Sequence, residues 1–324
     1  MSTPRFSIVI TCHNQEHFIR DAVESALRQS ASLREIIVVD DGSTDGSIDI
    51  LEQYTEAIQL CRLPTNRGAI EARNYGAGLA TGDYLVFLDG DDALMPWALQ
   101  AYERVIRERN PKVLLAQVIW FSGDVVPEPA ENLPDSIDFV EYDALMRKDR
   151  TVGLFASAFV VHRRTFEAVG NWTPGIFHLD VQDVFTKLGY AGKTILLCAP
   201  ATVFYRIHEN NSVHKVLPFL KMQHRLMAKE RRGEYPGGRK SRFERRAWLG
   251  GQVVFCMKGA LRAGFYMEAA KLMTSGRSMI AAALLRRLMI RANGRRPMQT
   301  LDFHFGPEPT VPAEPLSASL QEHP

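Results

Sequence analysis

Three aspartates, Asp89, Asp91 and Asp92, stand within four positions at the end of the apolar run YLVFL. Carboxylates this close repel one another and raise one another's pKa, so the cluster is unfavourable unless a cation binds it. A turn after the run would bring Asp89 and Asp91 to one divalent ion. Mg²⁺ and Mn²⁺ bind one or two carboxylates and take their other ligands from water and phosphate oxygens. A solvated acidic turn is the alternative, and the spacing favours the metal site.

A second acidic pair, Asp40 and Asp41, ends another apolar run in the stretch IIVVDDGSTDGS. A carboxylate there can accept hydrogen bonds from the imide of a base or from ribose hydroxyls, and the start of the next helix offers backbone N–H groups. The alternative is a strand end followed by a helix that Ser43 or Asp45 caps. The recurrence of an acidic strand end at Asp89 favours a binding site.

Strand-like and helix-like runs alternate over the first 120 residues, and these elements must position the aspartates. Strands are predicted at residues 6–12, 35–41, 58–63 and 83–90. Helices follow them, the last with Pro96 in its first turn. The alternation predicts an α/β fold with a mainly parallel sheet and helices on both faces. Ligands bind at the carboxyl ends of such strands, where the polar clusters lie: residues 11–14, 40–41, 66–68 and 89–92.

The rest of the chain is less regular. A strand is predicted at 113–121, a Pro-rich acidic loop at 122–136, and a strand with a short helix within 156–172. Another helix begins near residue 180, and basic helices begin near residue 215. The Pro-rich segment at the end has too few large apolar residues to pack into a core.

Composition excludes several classes of protein. The chain has 324 residues, 46% of them hydrophobic, and a net charge of +2, which gives no reason to expect a nucleic-acid partner. The four cysteines are scattered without metal-ligand spacing, which indicates reduced thiols in a cytoplasmic protein. We expect no signal peptide, and the apolar run at 279–285 is far shorter than the ~20 residues of a membrane-spanning helix. P-loop and dinucleotide-binding motifs are both missing.

The chain resembles the family 2 glycosyltransferases of bacterial type, which have the GT-A fold. The resemblance covers about residues 5–213 and rests on the order and spacing of five stretches: IVITCHNQEHFIRDAVESALRQS, EIIVVDDGSTDGS, NRGAIEARNYGAGLATGDYLVFLDGDD, VGNW and YRIHENNS. It implies a hexosyltransferase-like enzyme with a nucleotide-sugar donor and a hydroxyl acceptor on a cell-surface polysaccharide or lipid-linked glycan. It also implies Mn²⁺ or Mg²⁺ as cofactor and, in most members, inversion at the anomeric carbon.

The resemblance assigns the ends of the first two strands to the nucleotide. Thr11, His13 and Asp40 match positions that line the nucleobase pocket, and Asn14 and Asp41 stand beside them as further substrate-binding residues. His13 occupies a position where the family more often has a tyrosine, so base stacking should be weaker here.

The same resemblance assigns the diphosphate and metal. Arg73 matches the family's nucleotide-contacting arginine, although a helix-surface ion pair is the alternative from the bare sequence. Asp89 would face the ribose and the metal, and Asp91 would hold the metal on the diphosphate. Arg206 and His208 fall in a segment similar to the flexible loop near the pyrophosphate, with His208 as a further metal ligand or a structural histidine.

The catalytic base is expected in the stretch HLDVQDVFTKL, which departs from the family's Glu-Asp pattern. Leu179 replaces the glutamate if Asp180 is the base, whereas aligning Lys187 with the family's basic residue favours Asp183. The two aspartates share one helix face at positions i and i+3. Asp180 is favoured because it stands at the helix start, and an N-cap is the alternative role.

The implied organisation has three parts. Residues 1–215 form the GT-A domain, with a Rossmann-like nucleotide-sugar-binding half up to residue 120 and an acceptor half after it. Residues 216–300 form a basic helical extension, and residues 301–324 form a Pro-rich, disordered tail. Two rival functions stay open. A nucleotidyltransferase would carry a Gly-rich basic loop after the first strand, unlike TCHNQEHF, and an inactive sugar-nucleotide-binding protein would explain the irregular HLDVQD.

The extension predicts a peripheral contact with an anionic membrane on the inner face of the plasma membrane. Residues 277–296 carry six basic and no acidic residues around an apolar run, with Arg287 and Arg291 one turn apart. In the alternative, the apolar side chains pack on the catalytic domain: Ala282, Leu285 and Met289.

Overall fold

The computed structural model describes residues 3–30, 34–129, 134–150, 153–209 and 216–302. Its strands are β1 (Phe6–Cys12), β2 (Arg34–Asp40), β3 (Gln59–Arg62), β4 (Tyr84–Asp89), β5 (Ala93–Leu94), β6 (Val113–Leu115), β7 (Val118–Ser122), β8 (Ser136–Tyr142), β9 (Phe159–His162), β10 (Thr194–Ala199), β11 (Val203–Ile207) and β12 (Gln299–Asp302). Its α-helices are α1 (Ile19–Leu27), α2 (Ser47–Glu52), α3 (Ala69–Leu79), α4 (Ala98–Arg109), α5 (Arg163–Ala168), α6 (Asp180–Leu188), α7 (Val216–Arg232), α8 (Arg242–Arg262) and α9 (Tyr266–Asn293).

A large mixed sheet forms the centre of the fold. Within the described residues its order is β12-β8-β10-β6-β9-β4-β1-β2-β3. The first four strands of the chain pair in parallel, whereas β9 lies antiparallel between β4 and β6. Cys12 of β1 is opposite Asp40 of β2, and Thr11 is opposite Asp89 of β4. This register brings the acidic strand ends together, and it confirms the predicted α/β class.

Two hydrophobic cores cover the two faces of this sheet. Alternate residues of a strand enter different cores, so that Val9 joins Phe87 on one face whereas Ile8 and Ile10 join Val86 on the other. Helices α1 and α4 pack on the second face. Helices α3 and α6 and the C-terminal helices pack on the first, because their apolar residues share its core.

Two local predictions are wrong. The apolar run at 113–121 is not one strand but two, β6 and β7, and β7 pairs with β11 in a separate sheet of order β5-β11-β7. The chain leaves the main sheet where Ala116 N donates to Ala158 O and Gln117 O accepts from Thr202 N. Pro96 lies in the turn before α4 rather than in the first turn of that helix.

The C-terminal helices continue the core of the catalytic part. Leu226 and Met227 of α7 and Leu249 of α8 are buried in the same core as α6. Helices α8 and α9 approach closely at Gly250, where an added Cβ would lie 1.9 Å from the carbonyl oxygen of Met279. None of the described helices is long and apolar enough to cross a membrane.

The chain returns to the main sheet after α9. Residues Gln299–Asp302 form β12, which pairs antiparallel with β8. The first two residues of the predicted tail therefore belong to a strand. Residues 303–324, which make up the rest of the predicted tail, lie outside the described residues.

Candidate active site

The carboxylates at the end of β4 form a compact acidic cluster. One ligand oxygen from each of Asp89, Asp91 and Asp92 lies within 4.8 Å of the others. Burial raises the pKa of Asp92 well above its usual range, and the charges of Asp91 and Asp89 raise it further. Burial also raises the pKa of Asp89, and the nearby Arg73 only partly offsets this rise. Such mutual repulsion is relieved when a cation binds.

Asp92 shapes the turn and leaves the other two carboxylates as the better candidates for metal ligands. Its Oδ2 accepts a hydrogen bond from Ser157 Oγ at 2.5 Å, and its Oδ1 accepts one from the backbone N–H of Arg206 at 3.0 Å. Ser157 Oγ in turn accepts from the backbone N–H of Asp89 at 3.0 Å. Nothing in the short stretch ASAF marks Ser157 as part of the site, because only the fold brings it to β4.

His208 meets the cluster from the end of β11. Its Nε2 lies 2.9 Å from Oδ2 of Asp91, and its ring lies 5.2 Å from the ring of Phe18. Asp89, Asp91 and His208 together offer two carboxylates and one imidazole. Mn²⁺ accepts both oxygen and nitrogen ligands, whereas Mg²⁺ prefers oxygen. This donor set fits a divalent ion, with Mn²⁺ the better match.

Arg73 joins the acidic cluster to the expected catalytic base. Its guanidinium donates from NH2 to Oδ1 of Asp89 at 2.6 Å and from NH1 to Oδ2 of Asp180 at 2.7 Å. The side chain is buried and lies over the ring of Trp172, 5.2 Å from its centroid. The alternative role of Arg73 as a helix-surface ion-pair partner is therefore wrong.

Two hydrogen bonds between the side chain of Asn74 and the backbone of Trp172 hold the segment that carries Trp172. Asn74 Nδ2 donates to the carbonyl oxygen of Trp172 at 3.0 Å, and Asn74 Oδ1 accepts from the N–H of Trp172 at 3.1 Å. The stretches EARNYG and GNW, far apart in the sequence, thus form one unit behind Arg73.

The two candidate bases have different surroundings. Asp180 begins α6, and its side chain keeps 16% exposure beside Arg73. Asp183 is buried and accepts hydrogen bonds from Thr173 Oγ1 at 2.5 Å, Lys229 Nζ at 2.5 Å and Tyr235 Oη at 2.7 Å. Asp183 therefore anchors α7 to α6, which corrects its assignment as an alternative base. The sequence placed both residues on one helix face but could not show that α7 covers only one of them.

The predicted nucleobase pocket lies at the ends of β1 and β2. Asp40 is buried; its Oδ2 accepts from the N–H of Ser43 at 3.1 Å, whereas its Oδ1 has no partner among the described residues. Thr11 is buried in the neighbouring strand, and Nδ1 of the half-buried His13 also lacks a partner within the described part of the chain. A buried acceptor without a partner costs ~1–3 kcal/mol, so Asp40 Oδ1 fits a donor on a ligand.

The side chains of two neighbouring residues accept hydrogen bonds from the loops around this pocket. Both carboxylate oxygens of Asp41 are used, because they accept from the N–H groups of Arg67 at 2.7 Å and Gly68 at 2.6 Å. Asn14 Oδ1 accepts from the N–H of Thr44 at 2.8 Å. The predicted substrate-binding role of Asp41 is corrected to a positioning role, because both of its oxygens hold the loop at Arg67 and Gly68. Asn14 also holds a loop, and its substrate-binding role stays a prediction.

Arg206 is also a positioning residue. Its side chain is 1% exposed and lies between the rings of Phe18 and Phe121, with centroids 4.5 and 4.6 Å from the guanidinium carbon. It donates from NH2 to Asp21 Oδ2 at 2.7 Å and from Nε to the carbonyl oxygen of Asp91 at 2.9 Å. The geometry does not support the predicted direct contact of Arg206 with substrate. Arg206 instead holds the turn that carries the acidic cluster.

The site's scaffold matches a known family. The sequence profile of Glycosyl transferase family 2 matches residues 7–170, just over half of the chain. The chain belongs to glycosyl transferase family 2. The matched region includes β1 to β4, the acidic cluster and Arg73, so the predicted membership is confirmed.

Curated relatives share the same region. An uncharacterized glycosyltransferase of Haemophilus influenzae is 41% identical over 95 residues, which cover 28% of this chain and 38% of the relative. The putative teichuronic acid biosynthesis glycosyltransferase TuaG of Bacillus subtilis is 40% identical over 110 residues, which cover 33% of this chain and 44% of TuaG. The chain thus spans less than half the length of these family 2 relatives.

A solved structure matches more of the fold. TarS of S. aureus, residues 1–349 in complex with UDP-GlcNAc, superposes with a TM-score of 0.67 at 17% identity, covering 86% of this chain and 81% of TarS. The likeness confirms the predicted GT-A fold for this family 2 chain.

Proposed function

We propose that this protein is a glycosyltransferase that moves a sugar from a nucleotide diphosphate sugar to a hydroxyl group of an acceptor glycan, with inversion at the anomeric carbon. The observation that carries the proposal is that Arg73 donates hydrogen bonds to both Asp89 and Asp180. It thereby joins a carboxylate assigned to the donor's metal ion to the candidate base. The TarS complex with UDP-GlcNAc and the role named for TuaG in teichuronic acid biosynthesis support a sugar-nucleotide donor and a polysaccharide product.

The donor's base is assigned to the pocket of Thr11, His13 and Asp40. The unpartnered Oδ1 of Asp40 accepts a ring N–H, which uracil, thymine and guanine carry and cytosine and adenine do not. A nucleotide with such a base removes the cost of the buried acceptor. UDP, dTDP and GDP sugars are therefore the candidate donors.

Asp89, Asp91 and His208 would hold Mn²⁺ or Mg²⁺. When bound, the ion would stabilise the negative charge on the departing diphosphate as a Lewis acid. The chain's own contribution at this point is to fix the two carboxylates, through Ser157 behind Asp89 and through Arg206 behind the backbone of Asp91.

Asp180 acts as the general base. Its Oδ2 is held by Arg73, and its Oδ1 takes the proton from the acceptor hydroxyl. The hydroxyl oxygen then forms a bond to the anomeric carbon on the face opposite the leaving group. The bond from the anomeric carbon to the diphosphate oxygen breaks, and the electron pair leaves with the diphosphate. Arg73 holds Asp180 for this transfer, and Trp172 packs against the guanidinium.

The proposed transfer is tested by nucleotide release from UDP, dTDP and GDP sugars with Mn²⁺, first in water and then with acceptor glycans. A glycosyltransferase releases the nucleoside diphosphate and forms a glycosidic product. A protein that only binds sugar nucleotides releases nothing, and a nucleotidyltransferase makes or consumes pyrophosphate. Either of these results would overturn the proposal.

We also propose that a cytoplasmic pool of the protein contacts an anionic membrane through α9. Four large apolar side chains of this helix are about half exposed: Leu284, Leu285, Leu288 and Met289. Arg287 and Arg291 lie among them. Of the alternative packing set, Ala282 is buried but Leu285 and Met289 are not, so packing on the catalytic part does not explain the exposed residues. An apolar face beside arginines suits the interface of an anionic bilayer.

A further inference from the structure

Three aromatic rings form an open cluster next to the acidic cluster. Trp120 is 54% exposed, and its ring centroid lies 5.1 Å from that of Phe155 and 4.9 Å from that of Tyr205. The centroids of Phe155 and Tyr205 are also 4.9 Å apart. Each ring therefore touches both of the others, and we call these three residues the aromatic platform.

The second sheet and one loop build this platform. Trp120 of β7 and Tyr205 of β11 are direct partners in the parallel register. Their neighbours Phe121 and Phe204 point to the opposite face of the sheet and are buried there, as strand alternation requires. The platform therefore occupies the face of this sheet opposite the buried Phe121 and Phe204.

Its third ring comes from the loop before β9. At Gly153 an added Cβ would lie 2.1 Å from the ring of Phe155, so the backbone itself packs against this ring and holds it in place. Two residues after Phe155, Ser157 makes its hydrogen bonds to Asp92 and to the backbone of Asp89. The loop thus connects the platform directly to the turn that carries the candidate metal ligands.

Tyr205 lies at the edge of the active site, because the backbone N–H of the next residue, Arg206, donates to Asp92 Oδ1 at 3.0 Å. Burial raises the pKa of Tyr205, and the carboxylates of Asp92, Asp89 and Asp91 raise it further, while Arg73 acts in the opposite direction. The phenol group therefore lies within the electric field of the acidic cluster and of the arginine that holds Asp180.

The composition of this surface limits what can bind there. Trp120 is exposed, whereas Phe155 and Tyr205 are half-buried beside it. An aromatic cluster with one open ring is typical of a ligand-binding surface. The three rings carry no cationic group that could bind an anionic occupant such as a second nucleotide or a phospholipid headgroup. A neutral pyranose suits the site, because its axial C–H groups carry partial positive charge and the faces of aromatic rings are negative.

We propose that Trp120, Phe155 and Tyr205 bind a neutral pyranose ring of the acceptor glycan and so direct its reacting hydroxyl towards Asp180. The inference rests on the proposed glycosyltransferase function and names the acceptor chemistry of the same site. Trp120, as the most exposed ring, supplies the stacking face, and Tyr205 forms the side of the platform next to the carboxylates.

The test uses the full chain and methyl glycosides of glucose, galactose, mannose and N-acetylglucosamine as probes. Saturation-transfer NMR should detect the ring protons of at least one glycoside bound to the wild type. Trp120→Ala should abolish this signal, and Trp120→Phe should restore part of it. The matched control is Phe255→Ala, which removes a 69% exposed ring on α8 and should leave the signal intact.

A kinetic measurement separates this inference from the proposed function. With an active acceptor, Trp120→Ala should raise the acceptor KM about tenfold, the effect of losing one aromatic stacking contact. An unchanged NMR signal and an unchanged acceptor KM in Trp120→Ala would overturn the platform. The proposed function fails if the wild type forms no glycosidic product with any donor and acceptor tested, whereas the glycoside signal decides the platform.

Discussion

Two regions of the molecule each use an aspartate of α6 paired with a cation, and they use it differently. At the edge of the main sheet, Asp180 shares Arg73 with Asp89 and stays partly exposed. At the junction with α7, Asp183 is buried with Lys229 and two hydroxyl groups. The comparison teaches that two aspartates one turn apart differ in accessibility and in the number of protein partners, and this difference is why we propose Asp180 and not Asp183 as the base.

The same difference extends to the surroundings of each pair. The acidic cluster beside Arg73 carries several carboxylates, and burial together with mutual repulsion raises the pKa of Asp89 and Asp92. The junction is balanced, because one carboxylate meets one ammonium group and two hydroxyl donors. Under the proposed function the first region binds a cation and a substrate, whereas the second region joins α6 to α7.

Among the changes that test this comparison, removal of the metal should have the largest effect on sugar transfer. Asp91→Ala should abolish sugar transfer, and EDTA should do the same to the wild type, because Asp91 is one of two carboxylates assigned to the ion. Transfer is measured as nucleotide release with acceptor, before and after Mn²⁺ is added back. Asp49→Ala, at an exposed position of α2, is the control and should keep full activity. Full transfer in excess EDTA would exclude the metal site.

Loss of the buried pair should mainly affect folding. Asp183→Ala leaves Lys229 as an uncompensated buried charge, so the free energy of unfolding should fall by ~3–5 kcal/mol. Urea denaturation followed by circular dichroism measures this change. The double variant Asp183→Ala/Lys229→Met should recover part of the loss, because no charge is left unpaired. If Asp183→Ala is as stable as the wild type, the anchoring role is wrong.

The paired strand ends could be predicted from the sequence, because parallel strands in register bring their carboxyl ends to one edge. The register confirms this part of the argument, because Asp40 and Asp89 end the two strands that flank β1. The sequence could not separate Asp40 from Asp41, since the turn after β2 decides which carboxylate keeps an oxygen without a partner among the described residues and which one accepts from the backbone at Gly68.

Contacts from distant segments could not be predicted in the same way. The partner of Asp183, Lys229, lies 46 residues away on α7. The sequence around Asp183 carries no pattern that shows α7 packing against it. The resemblance of YRIHENNS to the family's loop near the pyrophosphate assigns Arg206 to the substrate, but the rings of Phe18 and Phe121 lie against its guanidinium and its side chain is buried. The split at 113–121 was missed because one continuous apolar run can serve two sheets.

A substitution on the exposed face of α9 should have a smaller effect, on membrane binding, than the changes above have on transfer and stability. Leu288→Glu should weaken co-sedimentation of the full chain with anionic liposomes, because it places a negative charge on the exposed apolar face of α9. The control is Met267→Glu, at a 75% exposed position near the start of the same helix. Added salt should also weaken binding of the wild type, since arginine contacts with headgroups are screened. Equal binding of both variants would remove the membrane role of α9.

The central claim is that Asp180, and not Asp183, takes the proton from the acceptor. The direct measurement is kcat of Asp180→Asn beside that of Asp183→Asn, with donor binding and unfolding measured for both. Asp180→Asn should lower kcat by ~10²- to 10⁴-fold, the usual contribution of a general base, while donor binding and stability persist. Asp183→Asn should lower stability and keep kcat in the folded fraction. A large loss of kcat in Asp183→Asn with little loss in Asp180→Asn would contradict the account.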